Sequence, residues 1–165
     1  MATRSFIGKR NDDGTITGVY CHWDGYPEWN GKMLVENYNS FWDVVELINL
    51  GSISSLREHA APPTGKHHTF NNPLDGVTIA YTRDRGEYWG WNAPRNYKDV
   101  DDIASLYSGV EWVYVYEPYA DGYRWMCGKV RVRRLNIPGD DDYFAYVDTL
   151  RPVTEVLAEL GVDLE

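Results

Sequence analysis

The sequence predicts a single-domain α+β fold, with a mostly antiparallel, aromatic-rich sheet and two or three packed helices. The chain has 165 residues, the length of one ordinary domain. Short segments of alternating apolar and polar residues, separated by turn residues, are typical of strands. Strand-like and helix-like segments do not alternate in the rhythm of a parallel βαβ fold, so an antiparallel sheet is expected.

Two strands are predicted near the N-terminus, Arg4 to Ile7 and Thr15 to Trp23. They are joined through Asn11 to Gly14, because Asp-Gly is a hairpin-turn signal. The segment from Lys32 to Tyr38 is compatible with either a short helix or a strand. A helix is predicted from Ser40 to Leu50, since its apolar side chains share one face and the next residue is a helix-ending glycine.

The middle of the chain combines an irregular stretch with one more strand. Ser52 to Pro73 is rich in Pro, Gly and Asn, which favour loops. Gly76 to Thr82 is predicted as a strand, because Val77, Ile79 and Tyr81 alternate with smaller residues.

The second half contains the clearest hairpin. Its arms are Val110 to Tyr116 and Tyr123 to Val132, and Trp112, Tyr114 and Tyr116 are expected on one face. Lys98 to Tyr107 is predicted as a short helix and Phe144 to Val147 as a strand. A last helix is predicted to follow Pro152, whose fixed φ suits a first helical turn.

Aromatic residues make up 15% of the chain, with 7 Trp and 13 Tyr, and two interpretations stay open. The rings pack against each other within the sheet, or they form a recognition surface. Most of them fall in strand-like segments, which favours packing.

The charge of the chain limits its partners. It carries 16 Lys and Arg against 25 Asp and Glu, a formal net charge of −9. Binding to nucleic-acid backbones or to anionic membranes needs clustered basic residues. We therefore expect no general nucleic-acid binding and no membrane association, whereas basic patches on a protein partner are favoured.

Known motifs indicate neither export nor a common enzyme class. Met1 to Arg10 has no apolar stretch of signal-peptide length, and no segment approaches the about 20 apolar residues of a membrane span. Cys21 and Cys127 are expected as reduced, buried thiols. Phosphate loops, dinucleotide fingerprints, nucleophile elbows and zinc spacings are missing, so no cofactor and no metal is predicted.

The six residues from His22 to Pro27 are the first candidate site. If the strand continues through them, His22 and Asp24 point to one side, as a His–carboxylate pair requires. The alternative is a plain turn, but turns do not need a His and the large rings of Trp23 and Tyr26. We therefore predict that His22→Ala and Asp24→Ala barely change the melting temperature and weaken binding.

His68 is the second candidate. It completes a metal site with His22 and Asp24 only if the fold brings the three side chains together, and otherwise lies in a solvated loop. Arg83, Arg85 and Glu87 follow a predicted strand. The two arginines either clamp a phosphate or carboxylate, or form ion pairs with neighbouring acids.

From Gly14 to Pro27 the chain reads Gly-Thr-Ile-Thr-Gly-Val-Tyr-Cys-His-Trp-Asp-Gly-Tyr-Pro. This segment resembles the signature of a family of small uncharacterised accessory proteins encoded by tailed bacteriophages. The resemblance continues through Gly31-Lys32, Leu50 to Leu56 and Gly76 to Glu87, over roughly the first half of the chain. It supplies no activity and no catalytic residues.

The resemblance implies a setting in the host bacterial cytoplasm, where small acidic phage proteins often bind and inhibit or modulate a host protein. We therefore expect a non-enzymatic protein with a host bacterial protein as its partner. The alternative is a small-ligand or nucleotide-binding protein, or a hydrolase. That alternative requires six side chains to meet in one pocket: His22, Asp24, His68, Arg83, Arg85 and Glu87.

Overall fold

Nine strands form the sheet in the part of the chain that the computed structural model describes, residues 2–106, 109–134 and 143–165. They are β1 (Arg4–Arg10), β2 (Ile16–Cys21), β3 (Ile53–Ser55), β4 (Ile79–Ala80), β5 (Arg95–Tyr97), β6 (Val110–Tyr119), β7 (Gly122–Arg134), β8 (Tyr143–Val147) and β9 (Arg151–Pro152). Their order is β4-β3-β2-β1-β6-β7-β8, with β5 beside β2 and β9 beside β7. Two pairs, β1–β6 and β2–β3, are parallel and the others antiparallel, so the predicted, mostly antiparallel sheet is confirmed.

The helices of the described residues are α1 (Lys32–Asn37), α2 (Phe41–Ile48), α3 (Tyr81–Arg85), α4 (Trp89–Asn92), α5 (Val100–Leu106) and α6 (Val153–Glu159). A π-helical turn, Pro27–Gly31, leads into α1. Three helices, α2, α5 and α6, have seven or more residues. The helices predicted near Lys98 and after Pro152 are therefore present, although the predicted end of the former, Tyr107, lies outside the described residues.

Helix α2 shows how local sequence sets the element bounds. The hydroxyl of Ser40 accepts a hydrogen bond from the Asp43 N–H at 3.2 Å and caps the first turn. Gly51 follows the helix with a φ of 78°. A Cβ at Gly51 would also lie 2.5 Å from the carbonyl oxygen of Asn92, so only glycine fits here.

The β6–β7 hairpin is the longest antiparallel pair and confirms the prediction. Its register runs from Trp112 opposite Lys129 to Tyr119 opposite Gly122. Near its tip the rings of Tyr116 and Tyr123 stack with centroids 5.0 Å apart, and Trp125 lies 5.0 Å from Tyr116. Part of the aromatic content therefore packs within the sheet.

The first face of the sheet is covered by three helices. Alternate strand residues such as Ile7, Val19 and Tyr114 are buried there against α1, α2 and α6. Trp112 and Tyr116 belong to the same cluster, so the three hairpin aromatics share a face as predicted. This face forms the larger core.

The second face is covered less completely. Phe6, Ile16 and Val113 point to it and pack against Ile103 of α5 and Tyr97 of β5. Most of this cover comes from one seven-residue helix, α5. The second face therefore stays accessible at the start of β1 and at the end of β2, near β3 and β4. The cleft described below lies there.

The prediction of a strand from Gly76 to Thr82 is wrong in its extent. Strand β4 contains only Ile79 and Ala80, and Tyr81 already begins α3. The Asp84 carboxylate accepts the Ala80 N–H at 2.7 Å, so a side chain of α3 reaches back to the residue that precedes the helix. This contact stabilises a helix start where the apolar alternation alone favours a strand.

Cys21 and Cys127 are free and buried. Burial raises the pKa of the Cys21 thiol to about 11 and that of Cys127 to about 12, so both are protonated at neutral pH. Across the described residues, no helix has the length and apolar character needed to cross a membrane.

Candidate functional site

The segment from His22 to Gly31 follows β2, and its backbone is fixed to the sheet. The Gly25 N–H donates to the Thr3 carbonyl at 2.8 Å, and the buried Tyr114 hydroxyl donates to the Gly25 carbonyl at 2.6 Å. A Cβ at Gly25 would lie 2.8 Å from the Cβ of Ser5. Glycine is therefore needed for the close approach of this loop to β1.

Asn30 ties the end of the loop to its beginning. Its side chain is fully buried, and its amide donates to Ser5 Oγ at 3.2 Å, Cys21 Sγ at 3.4 Å and the Trp23 carbonyl at 3.4 Å. Buried amides with several partners hold a single loop conformation. The loop backbone is therefore a specified part of the fold.

The rings of this loop remain largely outside the core. Trp23, Tyr26 and Trp29, here called the aromatic loop, are 43%, 37% and 38% exposed. Trp29 donates from Nε1 to the Leu56 carbonyl at 3.4 Å, and the Arg57 guanidinium lies 5.4 Å from the centre of its ring. An anchored backbone thus presents three large rings to solvent.

Exposure of tryptophan extends beyond this loop. Trp42, Trp89 and Trp91 are 74%, 45% and 76% exposed, so five of the seven tryptophans are exposed. For tryptophan the recognition-surface interpretation therefore fits better than packing within the sheet.

His22 and Asp24 do not form the pair that the sequence predicted. Strand β2 ends at Cys21, and Asp24 adopts a φ of 57°, which breaks the strand alternation. Asp24 accepts a hydrogen bond from the Tyr26 hydroxyl at 3.2 Å, whereas His22 Nδ1 lies 2.6 Å from the Tyr20 hydroxyl. Each side chain has a local partner of its own.

His68 belongs to a buried polar cluster. Its Nδ1 accepts the Leu74 N–H at 3.0 Å, which places the proton on Nε2. Nε2 lies 3.2 Å from both the Asp84 carboxylate and the Thr78 carbonyl. With both ring nitrogens engaged, His68 is not available for the metal site considered from the sequence.

Arg83 completes the same cluster, here called the closed cluster (His68, Arg83 and Asp84). Its guanidinium donates to the Asp84 carboxylate at 2.8 and 3.0 Å and to the carbonyls of Ala60 and Thr78 at 2.5 and 2.7 Å. The Asp84 side chain is only 2% exposed. These bonds fasten the irregular segment before β4 to helix α3.

Burial by itself raises the pKa of the Asp84 carboxyl. Hydrogen bonds from Arg83 and from the Ala80 N–H, with the positive charge of Arg83, outweigh burial and lower that pKa below its usual value. Asp84 is therefore ionised at neutral pH and supports the fold in that form.

The six side chains considered for a single pocket thus have contacts in three places. His22 and Asp24 lie at the start of the loop after β2, His68 and Arg83 belong to the closed cluster, and Arg85 and Glu87 form an ion pair at 3.0 Å. The single pocket that the small-ligand alternative required is therefore not formed by these six side chains. Contacts within the fold account for His22, Asp24, His68 and Arg83, and only Arg85 and Glu87 line a cleft.

A cleft of about 410 Å³ opens beside Arg85 on the second face of the sheet. We call it the arginine cleft. Arg4 and Tyr20 come from β1 and β2, Tyr81, Arg85 and Glu87 from α3 and the residues after it, and Trp91 and Arg95 from α4 and β5. His22 adjoins it through Tyr20, and partial burial, followed by the charge of Arg4, lowers the His22 pKa.

The charge of this cleft is opposite to that of the whole chain. Its three arginines and one glutamate give a formal charge of +2, whereas the chain carries −9. Among the described residues, Arg4 and Arg95 have neither an ion pair nor a side-chain hydrogen bond, and the Nε of Arg4 is buried without a partner. The positive charges of Arg4 and Arg95 therefore lie in this cleft without a carboxylate partner.

Sequence reasoning found Arg85 and Glu87 of this cleft and missed Arg4, Tyr20, Tyr81 and Arg95. These four residues are spread from β1 to β5, so no local motif joins them. The available signal was the strand alternation that sets Arg4 and Phe6 on one face, combined with a pairing that brings β1 beside β2. The pairing of β1 with β2 was predicted. The packing of α3, α4 and β5 beside the second face of these strands was not.

The described residues contain no group of three or more His, Cys, Asp and Glu side chains placed to hold a metal ion. No family model, no curated protein and no solved structure matches this chain.

Proposed function

We propose that this protein is a non-enzymatic binding protein whose aromatic loop docks on a partner protein. In the setting that the phage-family resemblance implies, the partner is a host bacterial protein that is inhibited or modulated by the contact. The observation that carries the proposal is the contrast within the loop between a fixed backbone and exposed rings.

Exposed tryptophan and tyrosine on a rigid loop match the energetics of protein recognition. Such side chains dominate interface hot spots, because they bury a large area at a small cost in side-chain entropy. Gly25 and Asn30 already hold the loop backbone through buried hydrogen bonds. Binding therefore does not need to order the loop, which lowers the free-energy cost of association.

The surroundings of the loop add a polar component to this surface. Arg57 lies against the ring of Trp29, and Asp24 and Glu28 stand beside the exposed rings. Aromatic rings flanked by charged residues of both signs are typical of interfaces with an apolar centre and a polar rim. The net charge of −9 favours a partner with a basic patch.

The test is quantitative capture from a bacterial lysate, followed by titration of the purified captured protein. Wild type and Trp42→Ala are expected to capture the same host protein, and Trp23→Ala combined with Tyr26→Ala is expected to weaken its affinity about 30-fold or more. Trp42 is a suitable control because it is exposed but belongs to α2, whose Phe41 packs under Lys9 at the opposite end of β1 from Gly25.

Two outcomes contradict the proposal. One is a folded double variant that binds the captured protein as tightly as wild type does. The other is the absence of any host protein enriched by wild type over an unrelated acidic protein of the same size. Thermal melts of each variant separate lost binding from lost folding.

A further inference from the structure

Two guanidinium groups without an ion pair line one cleft of this acidic protein. The chain has 25 carboxylate side chains for 16 basic ones, and five of the ten arginine side chains that the structure describes form an ion pair with one. Arg83, Arg85, Arg131 and Arg151 each do so within 3.0 Å. Arg4 and Arg95 do not, although both line the same cleft.

The position of Arg4 adds to this point. Its residue is half-buried, its Nε is buried without a hydrogen-bond partner, and a Cβ at Gly109 would clash with its guanidinium. A side chain held this closely retains little freedom to find a distant carboxylate. A partly buried guanidinium without a partner lowers the stability of the fold unless a bound anion pairs with it.

The other walls of the cleft are aromatic. Tyr20 and Tyr81 contribute partly buried rings, and Trp91 stands at the rim with 76% of its surface exposed. Flat ligands stack on such rings, and base–aromatic stacking contributes about 1–3 kcal/mol per base in other proteins. The cleft thus combines anion-binding and stacking groups in its lining.

The volume agrees with a small ligand. About 410 Å³ lies within the range of about 300–1,000 Å³ found for small-molecule sites. We propose that the arginine cleft binds a phosphate-bearing ligand of mononucleotide size, with its phosphate held by Arg4, Arg85 and Arg95 and its planar ring against Trp91.

Phosphate fits better than a single carboxylate for two reasons. Three guanidinium groups provide more donors than the two oxygens of one carboxylate accept, whereas a phosphate monoester offers three charged or partly charged oxygens. A dianion also balances the formal charge of +2 in the cleft. Glu87 then has a role of its own, since it holds Arg85 in place at 3.0 Å.

The test is calorimetric titration of the full chain with the 5′-monophosphates of adenosine, guanosine, cytidine and uridine, with the matching nucleosides and with inorganic phosphate. At least one monophosphate is expected to bind with a Kd below about 1 mM, and its nucleoside at least about tenfold more weakly. Arg95→Gln and Arg4→Gln are each expected to weaken that binding about tenfold or more, because each removes a charged hydrogen-bond donor.

Two further variants locate the ligand. Trp91→Ala is expected to weaken nucleotide binding and to leave the affinity for inorganic phosphate unchanged, because only the ring contact is lost. Arg133→Gln is the matched control, since Arg133 is an exposed arginine on β7 outside the cleft, and it is expected to bind as wild type does.

The proposal is overturned if none of the four monophosphates binds, if nucleoside and nucleotide bind equally, or if Arg95→Gln binds like wild type. Arg95 is exposed, so its variant provides the decisive result even if Arg4→Gln does not fold. The cleft contains none of the three rings of the aromatic loop. Nucleotide binding and partner capture are therefore able to fail independently.

Discussion

Arg83 and Arg85 lie two residues apart on α3, yet their surroundings are opposite. The Arg83 guanidinium donates to one carboxylate and two backbone carbonyls, and its side chain is 28% exposed. Arg85 is 47% exposed, pairs with Glu87 and lies beside a cleft that contains two further arginines without partners. Arg83 therefore stabilises the fold through its hydrogen bonds, whereas Arg85 lines a surface cleft.

The difference teaches which charged side chains are candidates for function. Where charged groups are paired within the fold, as in the closed cluster, the residues stabilise one arrangement of the chain. Where charge collects without compensation, as in the arginine cleft, a ligand supplies what the chain does not. The following predictions test that distinction, beginning with the largest expected effect.

Asp84→Asn is expected to lower the free energy of unfolding by about 3 kcal/mol, because it removes the buried carboxylate that accepts from Arg83, His68 and the Ala80 N–H. Urea unfolding followed by circular dichroism measures this loss. Glu87→Gln is the control and is expected to change the stability by less than about 1 kcal/mol, since its pair with Arg85 is solvent-exposed. Equal effects of the two substitutions contradict the distinction.

Low pH is expected to remove the stabilisation that the ionised Asp84 carboxylate provides. The folded-state pKa of Asp84 is lowered, so its stabilisation is fully present above the ordinary carboxyl pKa near 3.8 and is lost as pH falls through the lowered folded-state pKa. The stability difference between wild type and Asp84→Asn therefore narrows below about pH 4. Urea titrations from pH 7 to pH 3 check this, and a difference that stays constant with pH excludes the ionised form as its source.

The aromatic loop extends the comparison, because its backbone is hydrogen-bonded to the fold and its rings are exposed to solvent. Asp24 has a φ of 57°, which alanine adopts at a cost of about 1 kcal/mol and asparagine tolerates. Asp24→Ala is therefore expected to be less stable than wild type by about 1 kcal/mol, and Asp24→Asn to be nearly unchanged. This refines the sequence-based expectation that Asp24→Ala barely alters melting. Paired thermal melts decide, and equal melting of the two variants excludes the backbone explanation.

A smaller loss of stability than that of Asp24→Ala is expected for His22→Ala. His22 is half-buried and its one close polar partner among the described residues is the Tyr20 hydroxyl, so the loss is below about 1 kcal/mol, or a melting shift of less than about 4 °C. Affinity for the captured partner is nonetheless expected to fall, because His22 packs edge-on against Trp23 with ring centroids 4.7 Å apart. A large decrease in melting temperature would instead show that the His22–Tyr20 contact stabilises the fold.

The elements that follow from local pattern are those that the sequence predicted. The β6–β7 hairpin alternates along both arms, α2 carries its own cap and terminating glycine, and α6 begins directly after Pro152. Three short strands, β3, β5 and β9, were not predicted. Each has only two or three residues, and its pairing is set by the strands it joins, not by its own sequence.

The candidate sites were predictable only in part, for a related reason. The aromatic loop is contiguous, so its composition revealed it. The arginine cleft joins residues from Arg4 to Arg95 through tertiary pairing, and the roles of Arg83 and Arg85 depend on whether Asp84 and His68 surround the guanidinium. An Arg-Asp-Arg motif does not encode which arginine is enclosed.

The most direct test is to measure both stability and nucleotide affinity for Arg83→Gln and Arg85→Gln side by side. Arg83→Gln is expected to lose about 2 kcal/mol of unfolding free energy and, where folded, to bind the monophosphate as wild type does. Arg85→Gln is expected to lose less than about 1 kcal/mol and to bind about tenfold more weakly. The reverse pattern, or the same pair of effects in both variants, contradicts the separation between a closed cluster that builds the fold and an open cleft that binds.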